Sequence, residues 1–134
     1  QDLISPEGVN NYLEYRPLEG FVFAITPFNF TSIAGNLPSA PVIMGNVSLW
    51  KPASSSVLSG FYIMKLLEEA GLPAGVINFI PGDGAVVGHS VLQNRNLGGV
   101  HFTGSTKTFQ HIWKTIGANI EKYKSYPRIF SHIQ

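Results

Sequence analysis

Cysteine is absent from all 134 residues. That excludes disulfides, thiolate zinc sites and a cysteine nucleophile within the chain. Charge is scarce as well: Asp, Glu, Lys and Arg make up 13% of the sequence, about half the share usual in soluble domains. A net charge of +1 gives no general electrostatic case for nucleic acid or an anionic lipid surface. No apolar run approaches the roughly 18 residues of a membrane-spanning helix. No basic region leading into an apolar core marks a secretion signal. Disorder is excluded because 44% of residues are hydrophobic, whereas disordered chains combine low hydrophobicity with high net charge.

What is present suits one domain with a real core. A mean hydropathy of +0.12 is high for a free monomer, and position 1 is Gln, not Met. Together these lead us to expect a segment of a larger assembly with an interface exposed. Residues 1–18 read as an irregular lead-in, and residues 19–134 as the domain proper.

Short apolar runs alternate with helical periods. Gly20 to Thr26 has the composition of a strand covered on both faces, ended by Pro27. Thr31 or Ser32 is expected to cap a helix towards Met44, with Pro38 and Pro41 breaking or kinking its middle. Asn46 to Trp50 reads as a second strand. Ser54, Ser55 and Ser56 offer caps for a helix that Gly71 and Pro73 terminate. Val76 to Ile80 is a third strand, residues 85–93 a short helix, and Gly99 to Phe102 a fourth strand. Ser105 or Thr106 caps a helix towards residue 120, and Pro127 to Phe130 could begin a fifth strand. Strands alternating with helices imply an α/β fold: a Rossmann-like open parallel sheet with right-handed crossover helices.

In such a sheet, ligands bind beyond the carboxyl ends of the strands. That selects Asn29, Lys51, the Gly82 loop and Ser105, all expected on one edge of the sheet. Gly82 to Gly88 follows a strand and opens a helix, but its G-x-G-x-x-x-G spacing is one residue longer than the dinucleotide fingerprint. The alternative is a plain turn whose glycines take positive φ. Lys51 either reads a ribose or is a solvated lysine. Thr103-Gly104-Ser105 is either an anion site at a helix N-terminus or an ordinary N-cap. Asn29 either donates to a developing oxyanion or serves the turn. Of the four histidines, 89, 101, 111 and 132, none pairs with metal-ligand spacing, so no metal is expected, and His101 reads as a hydrogen-bonded core residue.

Taken together, these segments are far more specific. Pro27-Phe28-Asn29-Phe30, Leu49-Trp50-Lys51-Pro52-Ala53-Ser54, Glu69-Ala70-Gly71-Leu72-Pro73, Phe79-Ile80-Pro81-Gly82 and Phe102-Thr103-Gly104-Ser105 occur in order. The chain thereby resembles the cofactor-binding domain of the aldehyde dehydrogenase superfamily. Glu19-Gly20-Phe21-Val22, Ala40-Pro41, Met44-Gly45-Asn46 and Tyr126-Pro127-Arg128 are similar to its 1-pyrroline-5-carboxylate (glutamate-semialdehyde) dehydrogenase branch. The likeness runs over residues 12–129.

The resemblance implies roles position by position. Asn29 matches the asparagine whose amide lines the oxyanion hole. Lys51 matches the lysine that bonds the adenosine ribose, and Ser54 a position that helps set NAD against NADP preference. Phe28 and Ser105 match positions beside the nicotinamide-side phosphate. Gly82 and Gly104 match glycines that let the cofactor approach the backbone. Phe28 departs from the tryptophan of many aldehyde dehydrogenases but suits this branch. The family's cysteine nucleophile, its general-base glutamate and the glutamate holding the nicotinamide ribose have no counterpart here. After Ile129 the sequence reads Phe130-Ser131-His132-Ile133-Gln134.

The expectation is therefore the NAD-binding part of a dehydrogenase that oxidises glutamate semialdehyde to glutamate in proline catabolism, inactive by itself. NAD is the expected cofactor, with NADP the alternative. The expected partner is the remainder of a homo-oligomeric enzyme, with no nucleic acid and no membrane. The implied location is the mitochondrial matrix in a eukaryote, or else the cytoplasm. Two other readings are a non-catalytic binding or decoy subunit and an unrelated module using Gly82 to Gly88 for a phosphate ligand.

Overall fold

In the computed structural model, residues 4–133 are described. Residues 1–3 of the expected lead-in, and the end at Gln134, lie outside them. Residues 4–18 carry no helix or strand. The apolar runs become five strands: β1 (Phe21–Ile25), β2 (Val47–Lys51), β3 (Ile77–Phe79), β4 (Leu97–Gly104) and β5 (Arg128–Ile133). Between them run α1 (Thr31–Ile43), α2 (Val57–Glu69), α3 (Gly84–Leu92) and α4 (Thr106–Ala118). All strand pairs are parallel, in the order β3-β2-β1-β4-β5. The expected α/β sheet with crossover helices is what forms.

Alternate residues of the central strands face opposite layers, as a period of two requires. Ala24 and Trp50 pack with Ala34 and Leu37 of α1 and Ile77 of β3. Phe23, Leu97, Val100 and Phe102 pack with Leu92 of α3 and Ile112 and Ile116 of α4. Phe23 and Val100 are fully enclosed, and such a side chain contributes about 1.5–3 kcal/mol by leaving water. Leu58, Tyr62 and Leu66 stand exposed along α2, apolar surface of the kind that low charge predicts.

Three local expectations are corrected. Pro38 and Pro41 do not break α1, which runs unbroken through both. Pro41 has no N–H for the carbonyl of Leu37, but His101 Nδ1 bonds that carbonyl at 3.0 Å. The strand supplies the partner that the helix lacks; His101 is hydrogen-bonded as expected, but it is half-buried and not a core residue. Neither Thr31 nor Ser32 caps α1, because Phe30 occupies the N-cap without a side-chain bond. Ser54–Ser56 likewise form a 3₁₀ turn ahead of α2 and give it no side-chain cap. The Ser56 hydroxyl donates back to Ala53 O at 3.3 Å. Gly71 does take the left-handed conformation, with φ of +97°.

Candidate functional site

The strand order reverses about β1, with β2 on one side and β4 on the other. That switch point opens a crevice at the carboxyl ends of the strands. There the chain forms a cleft of about 830 Å³, lined by Phe28, Asn29, Lys51, Gly104 and Ser105 among others. Five of the seven sequence-predicted residues thus share one cleft. Gly82 and Ser54 stand outside its lining, although the Gly82 loop leads directly into α3 on the same edge of the sheet.

Pro27 stops β1 because it has no N–H to donate, and Phe28 and Asn29 project beyond it, exposed. Lys51 closes β2 opposite Ile25. Its side chain is buried at 6% exposure, and Nζ donates to Pro52 O at 2.8 Å. An ammonium has three donors, so this bond leaves it capacity for a ligand. Burial pushes its pKa below the usual lysine value, and the Asp83 carboxylate opposes part of that fall. The solvated-lysine alternative does not hold.

Asp83 does more than tune Lys51. Its carboxylate accepts from Ala85 N at 2.9 Å and Val86 N at 3.0 Å, capping α3. The glycines around it do not take positive φ, so the loop is shaped by an acidic cap and not by left-handed turns. Aspartate just ahead of a helical run is the signal that could have found it. Ser105 is the N-cap of α4 and accepts from Thr108 N at 3.3 Å. Gly104 is tightly enclosed: a Cβ there would meet the Phe102 ring at 2.8 Å.

The cleft also holds two side chains that sequence reasoning weighed only as metal ligands. His89 of α3 and His111 of α4 both line the cleft, with Phe23, Ile25, Leu92 and Ile112 as an apolar floor. An apolar lining that includes a buried cation suits a ribose-linked aromatic base. Among the described residues no cluster could hold a metal ion, and no helix is long and apolar enough to cross a membrane.

The sequence pattern of the aldehyde dehydrogenase family matches residues 1–125. The chain belongs to that family. Delta-1-pyrroline-5-carboxylate dehydrogenase of Dictyostelium discoideum, a protein named as mitochondrial, is 58% identical over 124 residues, 91% of this chain and 22% of its own length. Its Homo sapiens counterpart is 46% identical over 129 residues, 96% of this chain and 23% of its own. The crystal structure of the Mycobacterium tuberculosis Delta-pyrroline-5-carboxylate dehydrogenase bound with NAD superposes with a TM-score of 0.91 at 55% identity. It is covered over 25% of its length by 99% of this chain. The chain thus spans about a quarter of the length of these aldehyde dehydrogenases. Family membership removes the reading as an unrelated phosphate-binding module.

Proposed function

We propose that this chain is the NAD-binding portion of a dehydrogenase acting on glutamate semialdehyde, the open form of 1-pyrroline-5-carboxylate. The observation that carries the reading is the meeting of Asn29, Lys51 and Ser105 in one cleft at the switch point of the sheet. The Mycobacterium relative, of the same fold at 55% identity, binds NAD. The donor set fits the cofactor: a buried ammonium for a ribose hydroxyl, an apolar lining for the base, and a glycine where backbone must come close.

NAD, when bound, accepts hydride. Lys51 Nζ holds the adenosine ribose, its charge kept dry by the walls around it. Gly104 and Ser105 present backbone and hydroxyl to the pyrophosphate. The Asn29 amide supplies one donor to the oxyanion that forms when the aldehyde carbon is attacked, a preorganised dipole of the kind worth a few kcal/mol in a water-poor site. The thiolate for that attack comes from outside these residues, since the chain has no cysteine. By analogy with the relatives named as mitochondrial, a eukaryotic source would place it in that organelle.

Calorimetric titration with NAD tests the reading. Lys51→Met is expected to weaken binding about tenfold, the loss of a charge-assisted hydrogen bond. Unchanged affinity in that variant would remove Lys51 from the site and with it the proposal.

A further inference from the structure

Two hydrogen bonds tie the end of β1 to the end of β2, and both fall on Thr26. Its backbone N–H donates to Lys51 O at 3.2 Å, and its Oγ1 accepts from Trp50 Nε1 at 2.9 Å. Both side chains are buried, Trp50 completely. The indole has no freedom to follow a displaced partner. Phe79 packs edge-on against it with ring centroids 4.9 Å apart. A Cβ on Gly60 would lie 3.4 Å from its Cζ2. Trp50 O accepts from Ile80 N at 2.8 Å on the far side. Trp50 is thus a fixed post near the end of β2, between β3 and β1, and Thr26 is the residue hitched to it.

The residues after Thr26 give the attachment its consequence. Pro27 has no N–H to donate, and it confines the residue before it to extended backbone. The next side chains are Phe28 and Asn29, exposed in the cleft. Thr26 is therefore the joint between the sheet and the loop that carries Asn29. On its other side, the same residue holds the carbonyl of Lys51.

We infer that Thr26 is a positioning residue. Through its bond to Trp50 it fixes the Lys51 end of β2 against the Phe28-Asn29 loop, and hence the place at which Lys51 meets the adenosine ribose. The inference rests on the reading of the cleft as an NAD site. Valine in its place keeps the volume but removes the acceptor, leaving a buried indole N–H unpaired. Serine keeps the acceptor.

The test is NAD titration of the protein and of Thr26→Val, Thr26→Ser, Lys51→Met and the Thr26→Val/Lys51→Met double variant. Thr26→Val is expected to weaken NAD binding about tenfold, and Thr26→Ser to bind within about twofold of the parent. Because Thr26 acts through Lys51, the two losses should not multiply in the double variant. A general loosening of the fold would lower the melting temperature without this rescue and coupling. Thr26→Val binding NAD like the parent, or fully multiplicative losses, overturns the inference while leaving the NAD site intact. Lys51→Met binding like the parent overturns the NAD site itself, and the inference with it. Should Thr26→Val not fold, Trp50→Phe breaks the same bond from the donor side, and parent-like affinity there is equally decisive against it.

Discussion

The carbonyl oxygen of Asn96 lies 2.0 Å from the point a Cβ on Gly20 would occupy. Phe21 N donates to that same oxygen at 3.0 Å, so the turn entering β1 is pressed backbone to backbone against the turn entering β4. Gly20 also has φ of +103°, a conformation that other L-residues avoid. Position 20 is closed to side chains on two separate counts.

Gly20→Ala should accordingly cost about 4 kcal/mol or more, the range reserved for gross steric and backbone conflict. Gly71→Ala is the control, with φ of +97° and nothing within 4 Å of the added carbon. It should lose only about 1 kcal/mol. Urea unfolding of both variants separates the two terms. Equal losses would mean that the contact with Asn96 carries no weight.

Ser105→Ala removes the cap of α4 and is expected to cost about 1 kcal/mol. Asp83→Ala should cost more, because it orphans the amides of both Ala85 and Val86. Asp83→Asn can still cap, but it deletes the charge that raises the Lys51 pKa. It should leave thermal stability nearly unchanged while moving the titration of Lys51 to lower pH.

Burial favours the neutral amine of Lys51, so its proton leaves below the usual 10.5. Under that lowered value Lys51 is charged in both folded and unfolded chains and adds no pH dependence. Between it and 10.5 the unfolded chain binds more protons, so this residue's contribution to stability rises with pH. Cofactor binding runs the other way. NAD affinity should fall as pH climbs through the lowered value, where an ordinary lysine would still be charged. Titrations from neutral pH upward check this, and Lys51→Met should flatten the step.

Supplied with semialdehyde and NAD, the 134-residue chain should show no turnover above a heat-killed control, since it has no cysteine to attack the carbonyl. NAD and AMP should bind it about equally weakly. On the proposed reading the carboxylate that would hold the nicotinamide ribose lies outside these residues, and one charge-assisted bond is worth about ten- to a hundredfold in affinity. Low-micromolar NAD binding, much tighter than AMP, would contradict this.

Exposed Leu58, Tyr62 and Leu66 on α2 should make the chain self-associate, since contiguous apolar surface drives association. Sedimentation at increasing concentration reads this directly. A constant monomer mass would show that the patch is too small to matter.

The parallel sheet was legible because β1, β2 and β3 are short apolar runs that Pro or Lys closes, as at Pro27 and Lys51, whereas β5 mixes Arg128, Ser131 and His132 and was legible only at its start. The shared edge was legible too, since strand ends in a parallel sheet all point one way. What local sequence could not convey were repairs made across the chain. Pro41 looks like a helix breaker until His101, sixty residues on, bonds the carbonyl it strands. Ser54 to Ser56 look like caps, yet they form a 3₁₀ turn in which the Ser56 hydroxyl turns back to Ala53 O. The contact between Thr26 and Trp50 is invisible in sequence, because nothing local distinguishes a buried threonine that accepts from an indole from any other strand residue.

The dependence of α1 on His101 also bears on when the helix forms. With two prolines in its span, α1 has little intrinsic tendency to persist in isolation. One of its stranded carbonyls finds a partner only once β4 has been laid beside β1. The earliest helix along the chain should then be among the later ones to consolidate, its amides gaining protection from solvent exchange only after the central strands have paired. Synthesis order and folding order would run in opposite directions at this end of the molecule.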